Sequence, residues 1–186
     1  VNLHISHQVN NKNSLYLTGY ISGDRFNLNS DTAYGYNNSN ASVKWKHIFN
    51  NKLTGIFTGG YDRYDYNISS DKNKVNAYKL KFDISQLNFK ADFVHYASAV
   101  HTIDFGISTI RYKLHPGTFG PDAHESLITE DVVEAEQAQE SAIYVSDRWT
   151  VNNNLSLHAG VRYSLFNYLG PKNVNQYAPG LPKTED

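Results

Sequence analysis

The stretch AIYVSDRWTVNNNLSLHAGVRYSLFNY, from Ala142 to Tyr168, consists of two alternating runs hinged on Asn152, Asn153 and Asn154. Successive side chains of an extended chain point to opposite faces. Leu155, Leu157, Ala159, Val161 and Tyr163 therefore share one side, and Ser156, His158, Gly160, Arg162 and Ser164 the other. Three asparagines in a row suit a tight polar turn. The stretch reads as a hairpin with one apolar face and one wet face.

The same period runs through the rest of the chain. Apolar residues fall on odd positions at Leu3, Ile5 and Val9, at Leu15, Leu17 and Ile21, and at Val43, Trp45 and Phe49. It continues through Leu53, Phe57 and Tyr61, Leu87, Phe89 and Phe93, and Ile103, Phe105 and Ile107. Together with Ile143 and Val145 and the closing run, this predicts about eight strands. Between them lie Lys44, Lys46, Lys90, Asp92, Asp104, Arg148, His158 and Arg162, which must stay in water or be paired. The phase changes between Phe82/Ile84 and Leu87/Phe89, which predicts a bulge at Ser85 and Gln86 or a break within residues 75 to 96.

Connections alternate in kind. Tight turns are predicted near 10–13, 50–52, 97–100 and 152–154, and longer polar loops near 29–40, 67–74 and 114–140. Trp45, Phe49, Phe93, Tyr96 and Trp149 lie near the tight turns, and Tyr34, Tyr36, Tyr64, Tyr66, Tyr112, Phe166 and Tyr168 near the long loops. Two aromatic girdles are the expectation, as at the two interfaces of a bilayer. The tail from Gly170 to Asp186, with Pro171, Pro179 and Pro182, reads as irregular.

Composition narrows the classes. At 186 residues the chain is one folding unit or a piece of a larger one. Mean hydropathy is −0.55, and no apolar run approaches the roughly 18 residues of a membrane helix. That leaves open a membrane protein built of strands, whose apolar residues occupy every second position. Net charge is −1, from 17 Lys and Arg against 18 Asp and Glu, so nucleic acid is not an expected partner. With no cysteine there are no disulfides or thiolate sites, and with no methionine and a start at Val1 the chain is expected to be cut from a longer product.

Alternation fits either a membrane barrel or a soluble antiparallel sandwich, which differ in what covers the apolar face. Long alternating runs, short turns alternating with long loops, and two tryptophans just before tight turns favour the barrel. A soluble all-β binding or adhesion module is the alternative.

The residues ESAIYVSDRWTVNNNLSLHAGVRYSLFNYLGP resemble the barrel of TonB-dependent outer-membrane receptors. A strand like AIYVSDRW ends near an Asp and an aromatic, crosses a short turn and returns as LSLHAGVRYSLF, with Gly160 and Arg162 at the matching Gly-x-Arg positions. KADFVHYASAVHTIDFGIS and NNKLTGIFTGGYDRYDY resemble consecutive hairpins of the same barrel, so the likeness spans most of residues 41 to 170. FNYLGPKNVNQYAPGLPKTED is similar to receptors of the Bacteroidetes lineage.

The resemblance implies an antiparallel up-and-down transmembrane β-barrel of about 22 strands, of which this chain holds about eight. It implies import of a scarce nutrient (an iron chelate, cobalamin, a glycan or a peptide) with energy from TonB, in the bacterial outer membrane. The implied partners are outer-membrane lipid, the remaining strands and plug of the parent chain, TonB through the plug region, and a surface lipoprotein as a further candidate. A plug, a TonB-interaction box and a terminal aromatic strand are not among these residues, and exposed sheet edges call for the missing strands.

Little points to catalysis. No Gly-x-Ser-x-Gly elbow occurs, no carboxylate pair stands out, and no cofactor or metal is implied. Tyr34, Tyr36, Tyr64 and Tyr66, read as loop residues, are candidates for stacking on a ligand. His115 and His124, beside Asp122 and Glu125, are candidates for a loop site holding a metal complex. Lys44, Lys46, Asp92, Asp104, Arg148, His158 and Arg162 are expected to face a lumen, against plug or wall. The acidic segment Glu125–Ala142 suggests a short helix capped by Thr129.

Overall fold

A computed structural model describes residues 1–29 and 31–170. The described strands are β1 (Asn2–Asn10), β2 (Asn13–Asn29), β3 (Thr32–Asn50), β4 (Leu53–Ser70), β5 (Tyr78–Tyr96), β6 (His101–Pro121), β7 (Asp131–Val133), β8 (Glu136–Asn152) and β9 (Leu155–Tyr168). All pair antiparallel in one sheet whose spatial order follows the chain, with three-residue β7 hung on β6 beside the start of β8. The sheet is up-and-down and open, with β1 and β9 at its edges.

One regularity fixes both faces. Within the apolar band odd residues pair with odd ones in every long ladder, as in Leu17–Val43, Val43–Gly59, Gly59–Phe89, Phe89–Thr109, Ile107–Ile143 and Val145–Val161. A slip by one residue would exchange the faces of a strand, and within the apolar band no such slip occurs. The alternation in each strand therefore adds up to one apolar odd face across the sheet.

Nothing among the described residues covers that face. Phe105 is 38% exposed and Val161 73%, and the buried apolar residues are three alanines, Ala77, Ala91 and Ala142. A sandwich would bury these side chains against a second sheet; here there is one layer. The band runs from Leu53 to Tyr61 on β4 and from Leu155 to Leu165 on β9, the roughly 9 to 11 residues that a tilted strand needs to cross a bilayer. Asp147 is the one odd-face carboxylate in the band among the described residues. Its Oδ2 lies 2.7 Å from His101 Nδ1, and the His101 ring stacks on Trp149 at 5.7 Å.

Strands β2 to β6 are 17 to 21 residues long, far more than a crossing requires. They continue past the band at the end away from the tight turns, and there the faces trade character. Odd positions become Arg63, Asp65, Lys81, Asp83, Arg111 and Lys113, while even positions become Tyr64, Tyr66, Phe82, Ile84, Tyr112 and Leu114. This corrects three expectations. β5 is unbroken and its register with β4 is continuous, so Ser85 and Gln86 hold no bulge; the phase change is a change in which face is apolar. The second set of aromatics, Tyr34, Tyr36, Tyr64, Tyr66, Tyr112, Phe166 and Tyr168, lies on the even face and is not a girdle on the apolar side. The polar stretches near 29–40, 67–74 and 114–140 are in large part strand: β3 starts at Thr32, β4 runs to Ser70, β6 to Pro121, and β8 starts at Glu136.

The segment expected to be a helix capped at Thr129 instead supplies β7 and the start of β8. The open edge of β6 offers a ladder to those backbone groups, which overrides the helix preference of Ala, Glu and Gln. The bulge in this part of the sheet sits on β6, where Pro116 and Gly117 together oppose Phe82. Pro116 has no amide to donate, and Gly117 adopts φ 149°, a backbone state suited to glycine. The tail from residue 171 on lies outside the described residues.

The tight connections fall at 11–12, 51–52, 97–100 and 153–154. Three share one device. Asn10, Asn50 and Asn152 each accept, through Oδ1, the backbone N–H two residues on, at 2.9, 2.8 and 2.9 Å. Ser98 Oγ does the same for Val100 and His101 in the fourth, at 3.2 and 3.1 Å. Asn and Ser side chains bond this way readily, which is why they mark turns.

On the even face Tyr144 of β8 reaches over β6 to donate its hydroxyl to Asp92 of β5. Gly106, which pairs with both residues, leaves the room. A Cβ there would lie 2.6 Å from the tyrosine hydroxyl and closer still to the Ala91 carbonyl.

Two expectations follow for the full-length parent chain folded in lipid, read from urea midpoints of the compact form on unheated gels. Phe89→Arg, on the odd face, costs about 2–4 kcal/mol while Asn88→Arg, its even neighbour, costs far less. Gly106→Ala costs about 1–3 kcal/mol through crowding. Gly59→Ala, where nothing lies within 4 Å of the added carbon, changes stability by less than about 0.5 kcal/mol.

Candidate functional site

The chemistry gathers on the even face, in two tiers. The lower tier lies behind the apolar band. Lys90 Nζ sits 2.9 Å from Asp92 Oδ1, and both Lys90 and Arg162 lie over the Tyr144 ring, 5.6 and 5.4 Å from its centre. Arg162 also donates to Ser164 at 3.2 Å and Ser108 at 3.3 Å and stands 3.9 Å from Glu140. Arg148 lies 3.7 Å from Asp104, and Lys44 stands over the Tyr16 ring at 5.2 Å. Lys46 and His158 share this face, His158 pairing in register with Arg148. The seven residues Lys44, Lys46, Asp92, Asp104, Arg148, His158 and Arg162 thus lie on one side of the sheet, opposite the leucines and valines.

The upper tier begins at Asp62 of β4. Its carboxylate accepts from Asn40 on one oxygen and from Gln86 and Asn88, both at 3.1 Å, on the other. Three amides from two neighbouring strands hold this carboxylate in place. Above it opens a concavity of about 280 Å³ lined by Tyr20, Asn38, Asp62, Tyr64, Ile84 and Gln86. A second, of about 330 Å³, lies across Ile84 and is lined by Tyr112, Leu114, Ala138, Phe166 and Tyr168.

Tyr34 and Tyr36 stand on β3, and Tyr64 and Tyr66 on β4, rather than in loops. Tyr36 pairs directly with Tyr66, the Tyr64 and Tyr66 rings stack at 6.5 Å, and Phe82 closes on Tyr66 at 5.0 Å. Tyr34 stacks on Phe26 at 5.3 Å, and the Tyr36 hydroxyl lies 3.4 Å from Asp24. The four tyrosines share the even face of β3 and β4. The two histidines do not join them. His115 belongs to β6, on the odd face, with Nδ1 2.9 Å from Asp83, whereas His124 lies in the connection after that strand. The strand continues through His115 because Asp83 and its neighbours give it a ladder, so the loop pair expected beside Asp122 and Glu125 is not assembled.

Asp62, Phe82, Ile84 and Tyr144 were not apparent as site residues in the sequence, where Phe82 and Ile84 mark only a change of phase. A count of parity from Tyr61 upward would have found the first three, since each occupies an even position on a strand whose odd positions have turned polar. On the odd face at this height Arg63 donates to Asp65 through Nε and Nη2 at 2.7 to 3.0 Å. That hydrogen bond and the charge of Asp65 hold its guanidinium even more firmly protonated than an ordinary arginine.

Residues 3–182 match the family described as TonB dependent receptor-like, beta-barrel. The fold is similar to BauA, the ferric preacinetobactin receptor of Acinetobacter baumannii, with a TM-score of 0.65 at 10% identity, over 89% of this chain and 33% of that one. It is also similar to the outer membrane transporter YddB of Escherichia coli, with a TM-score of 0.68 at 15% identity, over 90% of this chain and 27% of that one. The chain thus spans a third or less of these structures. A search of curated proteins gives no match. A single open sheet with an uncovered apolar band, matched to the family over nearly its whole length, leads to one conclusion: the chain belongs to the TonB-dependent receptor β-barrel family and is a stretch of outer-membrane wall.

Proposed function

We propose that this chain is the part of a receptor wall that lines an import path for a scarce nutrient, moved inward with energy delivered through TonB. The observation that carries the reading is the exchange of faces above Tyr61 and Leu87. The apolar band ends there, and the even face turns from charged to aromatic while the strands continue. In a barrel of this family the even face is the lumen, the tight turns lie in the periplasm, and the aromatic upper tier faces the medium outside. Tyrosines offer a rigid apolar face with a polar rim, which suits capture of a ligand partly freed of water.

The lower tier has a different part. Lys44, Lys46, Asp92, Asp104, Arg148, His158 and Arg162 form a charged wall that suits contact with the plug of the parent chain. The ligand lies among the nutrient classes carried by such receptors: iron chelates, cobalamin, glycans and peptides. The acidic and aromatic lining is support for a site, and no catalytic step is assigned to it.

The test is uptake by cells whose own receptor gene is replaced by variants, with each nutrient class supplied as the limiting source. One class requires the receptor and an intact TonB system. Tyr64→Ala with Tyr66→Ala raises the concentration for half-maximal uptake of that class about tenfold, at unchanged receptor level in the outer membrane. Uptake that persists in TonB-deficient cells, or is unaltered by the tyrosine pair, overturns the reading.

A further inference from the structure

On the even face one row of side chains crosses the sheet at a single height. Tyr20, Asn40, Asp62, Gln86 and Tyr112 pair in turn from β2 to β6, and the row continues over Ala138 to Tyr168 on β9. A carboxylate flanked by two amides thus stands between tyrosines. From Tyr20 to Tyr112 is four strand spacings, about 19 Å at about 4.8 Å each. The two hollows of the upper tier open along this row, about 280 Å³ around Asp62 and about 330 Å³ beside Tyr112 and Tyr168, with Ile84 between them.

The hydrogen bonds fix what the first hollow offers. A carboxylate accepts, so Asn40 and Gln86 turn their amide nitrogens to Asp62 and their carbonyl oxygens away from it. Asn38 likewise directs its amide nitrogen to Ser22, at 3.5 Å. The hollow is therefore rich in acceptors, and Tyr20 and Tyr64 add hydroxyls and flat apolar rings. Charge points the same way. The strand-borne lysines and arginines at even positions, Lys44, Lys46, Lys90, Arg148 and Arg162, all lie behind the apolar band, whereas Asp62 and Glu136 line the two hollows. Arg63 borders the first hollow from the odd side, where Asp65 holds its guanidinium at 2.7 to 3.0 Å.

Such a lining disfavours carboxylates and phosphates, which would meet like charge and few donors. The ligand that suits it is neutral, donates several hydrogen bonds from one rigid body and has apolar patches to lay on tyrosine. A sugar ring has all three properties. We propose that the nutrient is a neutral oligosaccharide, with one ring held by Asp62, Asn40 and Gln86 against Tyr64 and further rings laid along the row toward Tyr112 and Tyr168. The inference rests on the reading of the even face as the lumen of an importer and narrows its ligand to one class. A cationic peptide would find three of the roughly four lone-pair positions of Asp62 already taken by amides. A single sugar would leave the second hollow unused.

The test uses the full-length receptor in detergent, probed with immobilised oligomers of glucose, mannose and xylose and with oligogalacturonates as the acidic counterpart, followed by calorimetry on the glycans retained. The expected result is retention of a neutral oligomer, with its monosaccharide and the acidic glycans bound about tenfold or more weakly. Gln86→Leu and Asp62→Asn each raise the dissociation constant about tenfold. Tyr112→Ala weakens binding of the long oligomer and leaves that of its disaccharide as it was, and Lys113→Gln, next to it on the opposite face, changes neither. Retention of no neutral glycan, preference for the acidic ones, or folded Gln86→Leu and Asp62→Asn variants that bind as the parent does overturns the proposal. Should those variants not fold, the parent's choice of glycan and Tyr112→Ala decide. Uptake of an iron chelate, cobalamin or a peptide that depends on TonB and on Tyr64 and Tyr66 overturns this inference alone and leaves the import reading standing.

Discussion

Inside hydrocarbon no water reaches the backbone, so each amide of a crossing strand must find its carbonyl on the neighbouring strand. That demand explains why the ladders within the band run without interruption. It also explains why their register is so consequential. A shift of one residue in β9 would keep every backbone bond and yet present Arg162 and His158 where Val161 and Leu157 now stand. Backbone satisfaction fixes that the strands pair; the alternation of side chains fixes how.

Above the band the same ladders run on in a different solvent. Water on both sides removes the penalty on outward charge, and Arg63, Lys81 and Lys113 occupy positions that Phe57 and Phe89 hold lower down. The wall thus inverts its amphipathic character along a single unbroken strand. Polar groups on the even face are held to one another: Tyr144 to Asp92 across Gly106, Asp62 to three amides, Arg162 to two serines. Such cross-strand links are the sheet's substitute for a packed core, which a single layer does not possess.

Much of this was legible beforehand, for a physical reason. Leu155 to Leu165 and Leu53 to Tyr61 alternate because lipid rewards one face and water the other, and that contrast is written directly in residue type. The Asn-rich turns were legible for the same kind of reason, a side chain that bonds its own backbone. The upper strands were not. Once the outward face leaves hydrocarbon, a strand such as Thr32–Asn40 carries Asn, Ser, Gly and Tyr on both sides and looks like a loop. The tyrosines of β3 and β4 stand out as a group in the sequence, but their face depends on counting from the band upward without a break. The bulge at Pro116 and Gly117 and the β7 pairing depend on contacts between strands, which one strand's sequence does not disclose. Glu125–Ala142 favoured a helix by composition, and a waiting sheet edge decided otherwise.

The three asparagine turns have a bearing on how such a wall is put together. Because Asn10, Asn50 and Asn152 each close their own hairpin with a bond only two residues long, the offset between partner strands is decided on the spot. Most pairings join neighbours along the chain, so each hairpin emerges already measured and has only to be laid beside its predecessor. A mistake in one hairpin stays there and does not propagate around the wall.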